Sequence, residues 1–198
     1  MAQGKCKKLF VNLVQMKVVI IGKENIGKTA LVKRIHKAWG FANSLRTKFL
    51  GKGKRESTDG VEMSVWQPEG MENVTVRMWD FAGQETYYTT HQFFLSSKAV
   101  HVVLFKMTER DERDIQYWWS SISARCREKP IIIMVGTFLD AFKSKQRSSA
   151  VKDTSQWLQN LFDKWKSYQT ASLSIPELPN VSWNGMSICF YPGKYLSF

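Results

Sequence analysis

One eight-residue string constrains this chain more than anything else in it. Gly22-Lys23-Glu24-Asn25-Ile26-Gly27-Lys28-Thr29 satisfies the pattern G-x-x-x-x-G-K-[ST], and it stands where that pattern has physical meaning. Before it, Lys17 to Ile21 (KVVII) is a continuous apolar run, as a strand buried on both faces requires. After it, Leu31, Ile35, Ala38 and Trp39 recur at helical spacing. A strand, a glycine-bearing turn and a helix in succession make an anion cradle. Gly22 and Gly27 let the backbone bend around a phosphate with no Cβ in the way. The loop amides, with Asn25, Ile26 and Ala30 among them, and the helix N-terminus then point at the anion. Lys28 is expected to reach the β/γ phosphates, and the Thr29 hydroxyl is a hard oxygen ligand for Mg²⁺.

Three further constellations fall at strand ends. Asp80-Phe81-Ala82-Gly83-Gln84 follows the alternating run Val74 to Trp79. An Asp there can hold magnesium, usually through water, and Gly83 lets its amide approach a γ-phosphate. Gln84 stands where a side-chain amide would orient the attacking water. Thr58, in Ser57-Thr58-Asp59-Gly60, offers a hydroxyl that could close over Mg²⁺ when a γ-phosphate is present. Thr137-Phe138-Leu139-Asp140 follows the apolar run Ile131 to Val135. An Asp in that place can accept hydrogen bonds from the ring N–H and amino group of guanine, whereas adenine would leave it unpaired.

The rest of the pattern places these motifs on an α/β fold. Val61 to Trp66 and Val74 to Trp79 alternate at period two around Pro68 and Gly70, so they form a hairpin that puts one antiparallel strand in the sheet. Val100 to Phe105 and Ile131 to Val135 are buried strands, and Ser187 to Tyr191 is a candidate last one. Between them lie two helical stretches. One carries Ile115, Trp118, Trp119, Ile122 and Cys126, the other Trp157, Leu158, Leu161, Phe162 and Trp165, with the tryptophans expected in the core. Alternating strands and helices imply a six-stranded, mostly parallel sheet with helices on both faces and ligands at the strand C-terminal ends. Gly40 to Ser57 has no periodicity and several Lys and Arg, so residues 40–57 are expected to be a mobile basic insertion. Residues 167–185 turn to Ser, Pro and Asn and are expected to be a loop.

Taken in order, Lys28, Thr58, Asp80 and Asp140 resemble the series of a Ras-like, P-loop guanine-nucleotide-binding domain. The finer resemblance is to the Roc domain of Roco proteins, the family that includes the leucine-rich-repeat kinases. It is carried by Trp79-Asp80-Phe81-Ala82-Gly83-Gln84-Glu85 with Tyr87 to Leu95, by Thr58-Asp59-Gly60-Val61-Glu62, and by Val135 to Asp140. It covers about Lys17 to Trp165, with residues 1–16 as an N-terminal leader and 17–198 as the domain. The resemblance implies binding of GTP/GDP with Mg²⁺ held by Thr29, Thr58 and Asp80. It implies slow hydrolysis to GDP and phosphate, with Gln84 and Lys28 as the catalytic pair. Without an arginine finger, turnover is expected on the order of 10⁻⁴–10⁻² s⁻¹. Protein effectors or a Roco-type dimer partner are the implied partners.

The chain departs from the family pattern in places. Phe138 stands where Roc domains usually carry His or another polar residue, and Glu24 and Asn25 occupy loop positions often held by small residues. A Ser-Ala-Lys-like turn after the final strand is missing, with Tyr191-Pro192-Gly193-Lys194 a poor match. The terminal helix, and the COR and kinase domains that often follow Roc, are missing too. These departures favour an alternative, a non-hydrolysing interaction module or a fragment of a larger Roco protein.

Composition excludes the remaining classes. A chain of 198 residues has room for one domain and a short appendage, and no run of about 18 apolar residues spans a membrane. The net charge of +12 suits an acidic partner, but no nucleic-acid fold motif accompanies it, so nucleic acid is not the expected ligand. Cys6, Cys126 and Cys189 are scattered, with neither metal-site nor disulfide spacing, which points to a reducing, cytoplasmic setting. The basic N-terminus lacks a signal-peptide core, and Ala2 excludes N-myristoylation. His36, His91 and His101 show no ligand spacing, and His91 is expected to pack.

Overall fold

The computed structural model describes residues 14–38, 45–49, 60–68, 70–71, 73–84, 88–126, 130–171 and 186–190. In chain order they form β1 (Val14–Ile21), α1 (Lys28–Ala38), β2 (Leu45–Phe49), β3 (Val61–Trp66), β4 (Val74–Phe81), α2 (Tyr88–His91), β5 (Ala99–Lys106), α3 (Glu112–Arg125), β6 (Ile131–Thr137), α4 (Arg147–Ala171) and β7 (Met186–Phe190). The strands make one sheet in the order β2-β3-β4-β1-β5-β6-β7. β3 pairs antiparallel with β2 and with β4, and every other ladder is parallel. Among the described strands, β3 alone runs against the rest.

β1 lies in the middle because it can be buried on both faces. Val19, Ile20 and Ile21 are all fully buried, and their alternate side chains feed two different cores. On one face Ile20, Met78, Val102, Leu104 and Val135 pack against Leu31 and Val32 of α1. On the other, Val19, Ile21, Val103 and Phe105 meet Trp118 and Ile122 of α3 and Leu158, Leu161 and Phe162 of α4. Of the tryptophans expected in the core, Trp118 is fully buried, while Trp119, Trp157 and Trp165 are partly buried and pack against the core, the Trp119 ring tilted 4.9 Å from Phe162. From β4 the chain crosses over β1 to β5, so the direction of strand addition reverses beside β1. That switch point is where open α/β sheets hold ligands.

The α/β reading with helices on both faces is thus the observed fold, with four differences of detail. The sheet has seven strands, not six. The extra one is Leu45–Phe49, inside the segment expected to be a mobile basic insertion; it pairs with β3 in the register Leu45↔Val65 to Phe49↔Val61. β1 begins at Val14, so the leader expected over 1–16 gives its last three residues to the sheet. β4 runs through Phe81, so Asp80 sits within the strand rather than after it. α4 continues to Ala171, so residues 167–171 of the expected loop are helical, and residues 172–185 lie outside the described residues. A helix already anchored by Leu158, Leu161 and Phe162 propagates at low cost through a Ser-containing end, because elongation adds one bond per residue fixed. Thr58 lies outside the described residues.

Candidate functional site

The phosphate-loop residues connect β1 to α1 in a conformation that the glycines make possible. Gly22 has φ +142° and Gly27 φ +99°; a Cβ on Gly22 would stand 2.7 Å from the Leu104 carbonyl oxygen. Both a left-handed backbone and a close approach to β5 therefore demand glycine there. Asn25 takes φ 57°, a region that Asn tolerates better than most residues. Lys28 opens α1 and folds back over the loop, its ammonium donating to Gly22 O at 2.8 Å and to Lys23 O at 2.6 Å. Burial pushes Lys28 down to about 8, while the charges of Asp80, Asp114 and Glu24 pull the other way.

One residue on, the Thr29 hydroxyl donates to Asp80 Oδ2 at 2.7 Å. The parallel pairing of β1 with β4, with Ile20 opposite Asp80, brings the carboxylate to the start of α1. Asp80 is buried. A hydroxyl oxygen and a carboxylate side by side are the hard donors that Mg²⁺ prefers, so the residues present fit that ion. Among the described residues no three His, Cys, Asp or Glu side chains gather into a metal-binding group.

Gly83 lies against the phosphate loop. A Cβ there would fall 2.3 Å from Glu24 N and 2.4 Å from Glu24 Cα. The turn after β4 and the phosphate loop thus touch backbone to backbone, and half-buried Gln84 follows at once.

At the other end of the site, β6 delivers Thr137, Phe138 and Asp140. Thr137 is buried, and its hydroxyl donates to Phe105 O at 3.1 Å, tying β6 to β5. Its methyl group stands 4.0 Å from where a Cβ on Gly27 would be, which links the two ends of the site. Phe138 takes φ 61°, a strained conformation for a residue with a bulky side chain, and the Lys106 ammonium stands 5.4 Å from its ring centroid. Asp140 lies in the short turn Leu139–Ala141, and its Oδ1 is buried with no hydrogen-bond partner among the described residues. The structure therefore brings Gly22, Asn25, Ile26, Gly27, Lys28, Thr29, Ala30, Asp80, Gly83 and Gln84 together around one loop. It sets Thr137 and Asp140 at the same edge of the sheet.

Sequence reasoning missed a second layer behind the loop. Asp111 caps α3, its Oδ1 accepting from Arg113 N at 3.0 Å and Asp114 N at 3.3 Å. The same carboxylate pairs with Lys23 of the phosphate loop. That contact holds the Lys23 ammonium above its usual range and the Asp111 carboxyl below its own. Three residues on, buried Asp114 accepts from Tyr88 Oη at 3.4 Å. Burial raises the Asp114 carboxyl to about 6, against the pull of Lys23. The first turn of α3 thus touches both the phosphate loop and the helix that follows Gln84. The Asp111-Glu112-Arg113-Asp114 string was a visible N-cap signal, but nothing local named Lys23 as its partner. His91 packs, as expected: its ring lies 4.7 Å from Phe81 and stacks on Trp118 at 5.8 Å. Burial, with the Lys28 charge adding to it, takes His91 down to about 4.

The chain is similar in sequence to known proteins. The family described as "Ras of Complex, Roc, domain of DAPkinase" matches residues 17–140. The chain is 38% identical over 144 residues to the probable serine/threonine-protein kinase pats1 of Dictyostelium discoideum, which covers 64% of this chain and 4% of that protein. It is 31% identical over 169 residues to probable serine/threonine-protein kinase roco11 of the same organism, covering 84% of this chain and 11% of the relative. With leucine-rich repeat serine/threonine-protein kinase 1 of Caenorhabditis elegans it shares 31% identity over 142 residues, 65% of this chain and 5% of that one. The chain thus spans only a small fraction of the length of these relatives. Because the family match extends over well more than half of its residues, this chain belongs to the Roc family of Ras-like, guanine-nucleotide-binding domains.

Proposed function

We propose that residues 17–198 bind GTP with Mg²⁺ and hydrolyse it slowly to GDP and phosphate, as a signalling switch of the Roco type. The observation that carries the reading is the Thr29–Asp80 hydrogen bond at the mouth of the Gly22–Lys28 loop. It sets a hydroxyl and a carboxylate side by side next to a buried ammonium. In this reading the loop amides and Lys28 hold the β/γ phosphates and stabilise charge on the transferring group. Thr29 and Asp80, with Thr58, would hold the magnesium, which when bound neutralises charge between the phosphates. Gln84 orients the water, and Gly83 brings its amide near the γ-phosphate. Asp140 accepts from the guanine edge, which the unpartnered buried Oδ1 supports, while Thr137 fixes the strand that carries it. Intrinsic turnover without a supplied arginine is on the order of 10⁻⁴–10⁻² s⁻¹.

Calorimetry with GTP and ATP, with and without Mg²⁺, tests this directly. GTP should bind and ATP should not compete, Lys28→Ala should abolish binding, and Asp140→Asn should weaken GTP and relax base selection. Equal competition by ATP against the parent protein would refute the guanine assignment.

A second reading, a non-hydrolysing interaction module that binds nucleotide weakly or not at all, is favoured by one observation. Glu24 is exposed in this loop, and its backbone rests against Gly83, so the loop carries a carboxylate at a position often held by small residues. Single-turnover assays separate the two: in the first reading phosphate release is measurable and slowed by Gln84→Leu, and in the second it is absent. The cytoplasmic setting and protein effectors or a Roco-type dimer partner belong to the same proposal. No helix among the described residues is long and apolar enough to cross a membrane.

A further inference from the structure

Several parts of the molecule converge on Lys23 of the phosphate loop. Its carbonyl oxygen accepts from the buried Lys28 ammonium at 2.6 Å. Its carbonyl carbon lies 2.5 Å from the place that a Cβ on Gly83 would take, so the turn after β4 rests on the same peptide. Its ammonium donates to Asp111 Oδ2 at the start of α3, 88 residues away.

Asp111 is itself held firmly. Its Oδ1 accepts from Arg113 N and Asp114 N, which sets the plane of the carboxylate and directs Oδ2 at Lys23. The residue before it has a costly backbone: Arg110 takes φ 46°, a left-handed conformation in which an L side chain is crowded. Three contacts keep Arg110 there. Its amide donates to Lys106 O at 3.1 Å, its guanidinium donates to the hydroxyl of buried Thr154 at 3.3 Å, and the guanidinium carbon stands 6.0 Å from the Trp157 ring. Such strain persists only where the surroundings over-determine it, and it gathers at functional sites. Here it fixes where α3 begins and so where the Asp111 carboxylate stands.

The Lys23–Asp111 pair does little to hold the fold together. Its side chains are 40% and 35% exposed, and pairs so open to water add little to stability. We propose that Asp111 is a positioning residue for the phosphate loop, a role that rests on the nucleotide reading of that loop. Through Lys23 it holds the Lys23–Glu24 peptide in the orientation that gives Lys28 its second carbonyl acceptor and receives Gly83. Without the pair this peptide is free to turn, Lys28 loses part of its seat, and bound nucleotide leaves sooner while the fold stays intact.

Asp111→Asn tests this cleanly, because Asn caps a helix as well as Asp does and only the charge is lost. Lys23→Gln removes the charge from the other side. The full chain is loaded with N-methylanthraniloyl-GDP in Mg²⁺ and chased with GDP. Dissociation should speed up at least about threefold in each variant, near the low end of coupling between neighbours, and no further in the double variant. Lys23→Arg keeps the pair and should match the parent. So should Glu109→Gln, whose charge also acts on Lys23 but whose ion-pair partner is Lys106. At about 1 M NaCl the ratio of variant to parent should shrink, as screening weakens the pair in the parent. Melting temperatures should be parental, whereas a merely structural role would lower them in step with the rates. Hydrogen exchange of residues 22–29 in the nucleotide-free chain should be faster in Asp111→Asn and Lys23→Gln. That measurement needs no ligand, so it decides the coupling even if the parent binds no guanine nucleotide, a result that would end the nucleotide reading instead. Parental dissociation or parental exchange in either variant, or effects that multiply in the double variant, overturn the proposal. So does a fall in melting temperature that accounts for the rates.

Discussion

The Thr29 hydroxyl donates a 2.7 Å hydrogen bond to Asp80 across 51 residues of sequence. It joins the first turn of α1 to the end of β4, and in the proposed function these two oxygens hold the magnesium. If so, nucleotide affinity depends on Mg²⁺ through this pair. The GDP dissociation constant measured in Mg²⁺ should be at least about tenfold tighter than in EDTA, a difference of about 1.4 kcal/mol. In Asp80→Asn and in Thr29→Val the two values should converge. A variant that keeps the full Mg²⁺ effect removes the pair from the metal site.

Lys28 gives the site a pH dependence of definite sign. Burial takes the free lysine down to about 8, and phosphate bound against it would raise it again. Below pH 8 the ammonium is already formed and affinity is flat. Above pH 8 binding must take up a proton, so affinity falls as pH rises, by at most about tenfold per unit for one proton. Calorimetry at pH 9 in buffers of different ionisation enthalpy should show proton uptake near one, and at pH 6.5 near none. Lys28→Arg should abolish the uptake.

Acid should destabilise the fold well above the carboxylate range. Burial holds His91 and His101 at about 4 against an ordinary 6.5. Between those values the unfolded chain takes protons that the folded chain refuses, so stability is lost as pH falls from 6.5 to 4. Asp114 acts oppositely: held up at about 6, it keeps a proton in the folded state and adds stability as pH falls from 6 toward 3.8. Two histidines outweigh one carboxyl. The urea midpoint should therefore drop between pH 7 and 4.5, and drop more steeply in Asp114→Asn, which lacks the opposing contribution. A flat profile would show that the two histidines are not held neutral.

Gly83 tests how tightly the two loops of the site meet. A methyl group there would lie 2.3 Å from Glu24 N, against backbone that cannot move aside as a side chain could. Gly83→Ala should lower stability by about 1–3 kcal/mol, as overpacking does, visible as a lower melting temperature. It should also displace Gln84, so single-turnover hydrolysis should slow more than nucleotide binding weakens. An alanine variant with parental melting and turnover would mean that the turn does not have to rest on the phosphate loop.

What was legible in the sequence is what local chemistry imposes. The Gly22–Thr29 loop declares itself because glycine, lysine and threonine at fixed spacing act within one turn of chain. Strands such as Val19–Ile21 and Val102–Phe105 show themselves because burial on both faces leaves no polar alternation. β2 was not legible. Leu45-Arg46-Thr47-Lys48-Phe49 is short and basic, and it becomes a strand only because the open edge of β3 offers its unpaired backbone groups. The end of α4 was hidden for the same kind of reason: Ser167 and its neighbours favour a loop, but a packed helix upstream carries them along.

The sequence by itself determined the fold class, the phosphate cradle and the order of Lys28, Asp80 and Asp140, because each depends on residues within a few positions of one another. Only the tertiary structure decided what lies beside what. Lys23 meets Asp111 from 88 residues away, Gly83 presses on Glu24, Tyr88 reaches Asp114, and Arg125 stands over Phe93. Those contacts follow from the register of the parallel strands and the packing of α3 on the sheet. Free energy there is set by burial and distance in space, which no separation along the chain encodes.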